Sequence, residues 1–114
     1  MAALARELRR ALEPSEKQVE RMGDRLMETL GFEVVRFSQA RQTMQTEGIP
    51  DRRYYHRGRK LAVWWEAKSP RGKQRPAQRR FQEMCESVGE AYVLGGTEAL
   101  AEWVRTHIRR VAPD

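Results

Sequence analysis

Two segments on either side of a glycine decide how this chain folds: Gly48-Ile-Pro-Asp51 before it and Leu61-Ala-Val-Trp-Trp-Glu-Ala-Lys68 after it. The glycine is Gly58, and the residues around it are rich in the aromatic and β-branched side chains that strands favour. Gly58-Arg59 fits a two-residue type II′ turn, because glycine supplies the positive φ that the first turn position needs. The stretch therefore predicts a β-hairpin.

The register of this hairpin brings three charged side chains together. With the turn at Gly58-Arg59, Asp51 lies directly opposite Glu66. Side chains alternate between the two faces of a strand, so Glu66 and Lys68 share one face. A turn one residue earlier would place Asp51 opposite Trp64, with Glu66 on the diagonal and still within reach of a shared ion. In both registers the two carboxylates and the amine converge.

Such a convergence has one chemical interpretation and one ordinary one. Carboxylate oxygens suit Mg²⁺, which binds through one or two acidic side chains and through substrate phosphate oxygens. A lysine nearby could orient or help to deprotonate an attacking water molecule. Alternatively, Asp51 is a turn residue after Pro50, and Glu66 and Lys68 form a solvated strand face. These residues alone leave both interpretations open.

The composition predicts one basic domain with an anionic partner. The chain has 114 residues, 22 Lys and Arg against 16 Asp and Glu, a net charge of +6 and a pI of about 10.1. This charge favours nucleic acid through counterion release. A membrane surface competes, but the sequence has neither an apolar run of spanning length nor the apolar core of a signal peptide.

The metal-binding and redox residues are few. Cys85 is the single cysteine, so it cannot form an internal disulfide, and we expect a small buried thiol in a reducing compartment such as the cytoplasm. With only His56 and His107 besides, a closed zinc site is not expected.

The remaining periodicity predicts helices around the hairpin. Residues 2–13 repeat leucine every four positions and end at Pro14, which predicts a short amphipathic helix. It packs on the core or on a partner subunit, or it serves as a basic arm that faces DNA. A second helix starts at a Ser15/Gln18 capping box, ends at Gly31, and has a predicted core stripe of Val19, Met22, Leu26 and Leu30.

The rest of the chain alternates between strands and helices. A strand is predicted at 32–37 and a polar loop at 38–49. A helix that starts at Pro76 is predicted to bury Gln78, Phe81, Cys85 and Val88. A short strand at 91–94 and a closing helix from Thr97 follow. This order predicts an α/β domain.

The order and spacing of five segments carry a family resemblance; the segments are Gly48–Asp51, Trp65–Lys68, Gln78–Phe81, Gly89 and Ala91–Val93. Together they resemble the VRR-NUC family of PD-(D/E)XK nucleases over residues 15–103. The resemblance implies a restriction-endonuclease-like core, α-β-β-β-α-β-α with a mixed central sheet, over residues 15–111, preceded by an N-terminal helical arm at 1–14. It also implies a Mg²⁺-dependent DNA endonuclease in which Mn²⁺ can substitute. Small members are homodimers that cut branched DNA such as Holliday junctions.

The resemblance also assigns roles to individual residues. It implies metal ligation by Asp51, Glu66, the backbone carbonyl of Ala67 and Glu16, with Glu20 as the alternative to Glu16. Lys68 and Gln78 would then handle the nucleophile. The chain departs from the family at Ser38-Gln39, where members often carry an asparagine, and at the strongly basic segment that starts at Arg52.

Basic residues near this site are the predicted DNA contacts. Arginine and lysine contact phosphates without reading base sequence, and a basic loop beside the metal would anchor the backbone. The predicted contacts are Arg36, Arg41, Arg53, Arg71, Lys73 and Arg75. Solvated surface charge is the alternative for each of them.

A different class of function also fits the basic composition. A non-catalytic DNA-binding or assembly module on a nuclease scaffold would bind DNA with a steep salt dependence and no metal requirement. The acidic residues argue against that alternative, since carboxylates without a metal ion repel phosphates.

Overall fold

The computed structural model describes residues 2–37 and 47–110, and the elements in those ranges follow the predicted order. The chain is α/β. The helices are α1 (Ala2–Leu12), α2 (Glu16–Thr29), α3 (Pro76–Ser87) and α4 (Thr97–Arg110). The strands are β1 (Glu33–Arg36), β2 (Arg52–His56), β3 (Leu61–Ala67) and β4 (Tyr92–Gly95).

Within the described residues the strands form one mixed sheet in the order β1-β2-β3-β4. Strands β1, β2 and β3 pair antiparallel as a meander, and β4 pairs parallel to β3. A parallel partner requires a crossover connection, and α3 supplies it. This topology makes β2 and β3 the central strands, so both must bury side chains on two faces.

The register of the β2–β3 hairpin is the one that the sequence predicts for a turn at Gly58-Arg59. It runs from Arg52 opposite Trp65 to His56 opposite Leu61. This ladder stops one residue short of the predicted partners Asp51 and Glu66.

The turn type, in contrast, is not the predicted one. The Lys60 N–H donates to the Arg57 carbonyl at 3.3 Å, so Gly58 and Arg59 are the central turn residues. Positive φ falls on Lys60, at 55°, and not on Gly58. The type II′ prediction is therefore wrong, because the chain returns to the sheet through a left-handed residue after the turn.

The two faces of β3 pack against different helices. Val63, Trp65 and Ala67 face α2 and α4 and belong to the main core. Trp64 faces α3, where its ring meets the Phe81 ring edge to face, with centroids 5.1 Å apart. The sheet thus separates a two-helix layer from α3.

Helix α2 buries a different face from the predicted stripe. Its buried residues are Val19, Gly23, Asp24 and Met27. Met22 is 52% exposed and Leu30 38% exposed, so the prediction is wrong for those two positions. A Cβ at Gly23 would lie 2.2 Å from the Trp65 ring, so the absence of a side chain there lets α2 approach the sheet closely. The buried polar partners of Asp24 fix the same rotation.

Helix α1 exposes its apolar side. Leu4, Leu8 and Leu12 are 58%, 56% and 83% exposed. Near its end, Oε2 of Glu13 forms an ion pair at 3.0 Å with Nε of Arg71 in the loop after β3. In the described ranges we find no helix with the length and apolarity needed to span a bilayer.

Candidate active site

Three carboxylates meet where α2 begins and β2 begins. One oxygen from each of Glu16, Glu20 and Asp51 lies within 4.8 Å of the other two, and all three residues are partly buried. The Ser15 capping box starts α2 here, so Glu16 and Glu20 stand one helical turn apart on the same side. Asp51 immediately precedes β2, and its carbonyl accepts the N–H of Phe37 at 3.0 Å. The cluster therefore lies between the start of α2 and the start of the β2–β3 hairpin.

Burial and the neighbouring carboxylates perturb Glu20. Burial and the neighbouring charge of Asp51 raise the pKa of Glu20 from 4.5 to about 7, although the Arg52 charge opposes the increase. Glu20 also shares a hydrogen bond with Asp51. A bound cation would relieve the repulsion between two carboxylates that lie this close together.

Glu66 belongs to a second, adjoining group. It is 2% exposed, and its Oε1 accepts the Tyr92 hydroxyl at 2.5 Å. Its Oε2 lies 3.7 Å from Nζ of Lys68 and accepts no hydrogen bond within the described structure. Burial raises the pKa of Glu66, whereas the Tyr92 hydrogen bond and the Lys68 charge lower it. A buried carboxylate oxygen without a donor is energetically costly, and a cation would offset that cost.

Gln78 fixes the position of the lysine. Its Oε1 accepts a hydrogen bond from Nζ of Lys68 at 3.2 Å and another from the backbone N–H of Arg75 at 2.8 Å. The second bond closes the first turn of α3, because Gln78 is the third residue of the helix and reaches back to its cap. The predicted burial of Gln78, at 6% exposure, is confirmed, as is that of Phe81 and Cys85, whereas the prediction is wrong for Val88, which is 73% exposed just after the end of α3.

Gly48 lets the segment that carries Asp51 pack closely against the start of α3. Its φ is 82°, and a Cβ there would lie 2.1 Å from the Ala77 carbonyl oxygen. Only glycine combines that dihedral with so close an approach to the start of α3. The glycine at the head of the Gly48–Asp51 motif therefore has a packing role.

A buried polar network lies directly behind the carboxylates. Asp24, 6% exposed, accepts from Nε of Arg52 at 2.8 Å and from the Tyr54 hydroxyl at 2.7 Å. Nη2 of Arg52 also contacts Oε2 of Glu20 at 3.3 Å. Burial alone would lower the pKa of Arg52, but the hydrogen bond and charge of Asp24 raise it. Charge pairing thus explains how so basic a strand becomes central.

The predicted DNA contacts other than Arg53 divide into three groups. Arg71, Lys73 and Arg75 are exposed on the loop beside Lys68, as a phosphate contact requires. Arg36 is exposed but forms ion pairs with Asp24 at 3.3 Å and Glu28 at 3.4 Å. Arg41 and the departure at Ser38-Gln39 lie outside the described residues.

Arg53 does not fit the predicted role of a DNA contact. Its side chain is 10% exposed, pairs with Glu90 at 3.0 Å and lies over the Trp64 ring at 4.7 Å. The physical reason is the central position of β2, which turns this side chain toward the layer that holds α3. We therefore correct the assignment and treat Arg53 as a packing residue.

A cavity of about 670 Å³ lies beside the lysine. It is lined by Lys68, by residues of the following loop such as Pro70, by Val19 and Met22 of α2, and by Gly96 at the start of α4. It provides space for a substrate group next to the Lys68 amine.

The site includes residues that the sequence did not single out. Asp24 carries no motif signal, because its partner Arg52 is distant in sequence. Tyr92 lies within the Ala91–Val93 segment of the resemblance, but its contact with Glu66 also joins residues that are distant in sequence. The sequence offered Glu20 only as the alternative ligand to Glu16. The four-residue spacing of the two, which places them on the same side of a helix, could have indicated that both belong to the site. The structure brings both glutamates to Asp51, whereas Glu66 is not a member of that three-carboxylate cluster.

These oxygens fit a hard divalent cation. Glu16, Glu20 and Asp51 supply an all-oxygen donor set, and the unbonded Oε2 of Glu66 is a further acceptor. No family model matches this chain, and comparisons with curated proteins and with solved structures likewise give no match.

Proposed function

We propose that this protein is a metal-dependent DNA endonuclease that hydrolyses phosphodiester bonds. The observation that carries the proposal is the approach of the Glu16, Glu20 and Asp51 oxygens to within 4.8 Å of one another. Without a cation, the repulsion between these carboxylates destabilises the cluster. The chain that contains it has a net charge of +6, which favours an anionic partner such as DNA. The α-β-β-β-α-β-α element order supports a restriction-endonuclease-like core, which is the finer fold assignment that we propose.

Mg²⁺, with Mn²⁺ as a substitute, is the proposed cofactor. Asp51, Glu20 and Glu16 would hold it, and Glu66 and the Ala67 carbonyl are the further ligands that the motif implies. When bound, such an ion stabilises charge that develops on a phosphoryl group.

The chain's own residues supply the positioning. Gln78 occupies one N–H of the Lys68 ammonium at 3.2 Å. Nζ also lies 3.7 Å from Oε2 of Glu66, and a further donor of Lys68 would hold a water molecule or a phosphate oxygen beside that carboxylate. The exposed Arg71, Lys73 and Arg75 would anchor the flanking DNA backbone.

The proposed assembly is a homodimer, because paired cuts in a branched DNA need two sites. Helix α1 supports this, since a helix of 11 residues is marginal in water unless its apolar side is covered. A two-fold axis at Leu8 would pair Leu4 with Leu12 of the second copy.

A substrate panel tests the activity. Labelled four-way junction, flap, duplex and single-stranded DNA are incubated with Mg²⁺, Mn²⁺ or EDTA. We expect metal-dependent cleavage, strongest on branched substrates, and a loss of at least 10²-fold to 10³-fold in Asp51→Asn and Lys68→Ala. Glu83→Gln is the control, because Glu83 is an exposed carboxylate paired with Arg79 on α3.

Two outcomes would contradict the proposal. Cleavage at the wild-type rate by Asp51→Asn and Lys68→Ala would show that these residues do not form the active site. Tight, salt-sensitive DNA binding without any cleavage would instead favour the binding or assembly module.

A further inference from the structure

We propose that Arg52 is a positioning residue, which holds Glu20 and the Asp51 backbone in the geometry that binds the metal. This inference rests on the proposed function. It concerns a residue that neither the motif nor the family resemblance assigns to the site.

The contacts of one guanidinium group carry the inference. Nη2 of Arg52 lies 3.3 Å from Oε2 of Glu20, and Nη1 donates to the Asp51 carbonyl at 3.1 Å. These contacts hold two members of the cluster, which come from different elements, at a fixed separation. Because the guanidinium is planar, its position fixes both contacts at once.

Asp24 anchors the guanidinium from behind. Its Oδ1 and Oδ2 lie 2.8 Å and 3.1 Å from Nε of Arg52, and Tyr54 donates to Oδ1 at 2.7 Å. The Arg52 and Asp24 side chains are only 10% and 8% exposed. The arginine therefore cannot swing toward solvent without removing the most buried charged partner of Asp24, whose other ion-pair partner, Arg36, has a side chain that is 56% exposed.

The net charge of the Arg52–Asp24 pair decides whether Arg52 strengthens or weakens the binding of a cation. An isolated arginine beside the carboxylates would compete with Mg²⁺. Asp24 offsets the charge of Arg52, and Glu28 offsets that of Arg36, which also contacts Asp24, so these four side chains together carry no net charge. The remaining effect of Arg52 on the cluster is then to orient the ligands, as hydrogen-bonded groups behind metal ligands do.

A double-mutant cycle on the full-length protein tests the inference. Mn²⁺ affinity is measured by electron paramagnetic resonance for the wild type, Arg52→Lys, Glu20→Gln and the double variant. We expect Arg52→Lys to weaken Mn²⁺ binding about 10-fold or more, because lysine cannot reproduce the fork of donors. In the Glu20→Gln background the same change should have a much smaller effect.

Two further variants separate positioning from stability. Val104→Ala removes core volume from α4, where the residue is 4% exposed, and should lower thermal stability while leaving Mn²⁺ affinity unchanged. If Arg52→Lys does not fold, Tyr54→Phe takes its place, with an expected loss of about threefold that also depends on Glu20.

The outcomes distinguish this inference from the proposed function. An equal loss of Mn²⁺ affinity in both backgrounds, or no loss, overturns the positioning role of Arg52. If the wild type still cleaves DNA with Mg²⁺, the nuclease proposal remains intact. A wild type that neither binds Mn²⁺ nor cleaves DNA overturns the nuclease proposal and, with it, this inference.

Discussion

Oε1 of Gln78 accepts a hydrogen bond from Nζ of Lys68 at 3.2 Å while it also accepts the Arg75 N–H at 2.8 Å. One side chain thus links the start of α3 to the lysine at the end of β3. The helix cap and the position of the amine are therefore coupled, and a change at Gln78 should affect both.

Replacing Gln78 by leucine tests that coupling. We expect the cleavage rate to fall on the order of 10²-fold, because Lys68 loses the partner that orients it. The lost bond to the helix cap should cost about 1 kcal/mol in the free energy of unfolding. Single-turnover kinetics and urea denaturation measure the two effects.

Gln82→Leu is the control, since Gln82 lies one turn further along α3 and bonds to Gln74 rather than to Lys68. It should keep the wild-type rate. Equal rates for Gln78→Leu and Gln82→Leu would show that the Lys68–Gln78 contact has no role in catalysis.

The raised pKa of Glu20, about 7 against an ordinary 4.5, predicts a pH-dependent stability. Between these values the unfolded chain releases the proton before the folded chain does, so stability falls as the pH rises and stays reduced above pH 7. Glu20→Gln should therefore be more stable than wild type at pH 8, by about 1–2 kcal/mol, and nearly equal to it at pH 4. Chemical denaturation across this range checks the sign.

Mg²⁺ provides an independent check on the same residue. At pH 8 the ion should raise the melting temperature of the wild type by relieving the carboxylate repulsion, and it should raise that of Glu20→Gln less. If the free energy of unfolding changed with pH in the same way for the wild type and for Glu20→Gln, the raised pKa of Glu20 would be contradicted.

Leu8→Glu tests the proposed dimer. A charge at the centre of the exposed leucine face of α1 should convert the dimer to a monomer, because two buried carboxylates would face each other across the two-fold axis. Light scattering gives the mass of each form. Met84→Glu on α3 is matched in exposure, at 55% against 56% for Leu8, and should leave the mass unchanged. A dimeric Leu8→Glu would exclude this surface.

Gly48→Ala should destabilise the fold more than Gly89→Ala. Both glycines have positive φ, 82° and 76°, so alanine incurs the left-handed penalty of about 1–2 kcal/mol at each. Only at Gly48 would the added Cβ also clash with a backbone carbonyl, at 2.1 Å, whereas nothing lies within 4 Å at Gly89. The difference between the two unfolding free energies isolates that clash. Equal values would mean that the Gly48 segment shifts freely.

The sequence by itself determined the order of the helices and strands and limited the β2–β3 hairpin to two registers, of which the structure has the one with Gly58-Arg59 at the turn. These depend on local features: the position of Gly58, the two-residue alternation along strands, and the caps at Ser15 and Pro76. The predicted burial of Gln78 was also correct, because helical spacing placed it on the side of Phe81.

Only the tertiary structure decided which acidic groups meet and which arginines are buried. The rotation of α2 depends on the contact between Gly23 and Trp65 and on the Asp24 network, and both join residues far apart in sequence. That rotation brings Glu20 to Asp51. Burial of Arg52 likewise depends on Asp24, because charge compensation across elements leaves no periodic signal along the chain.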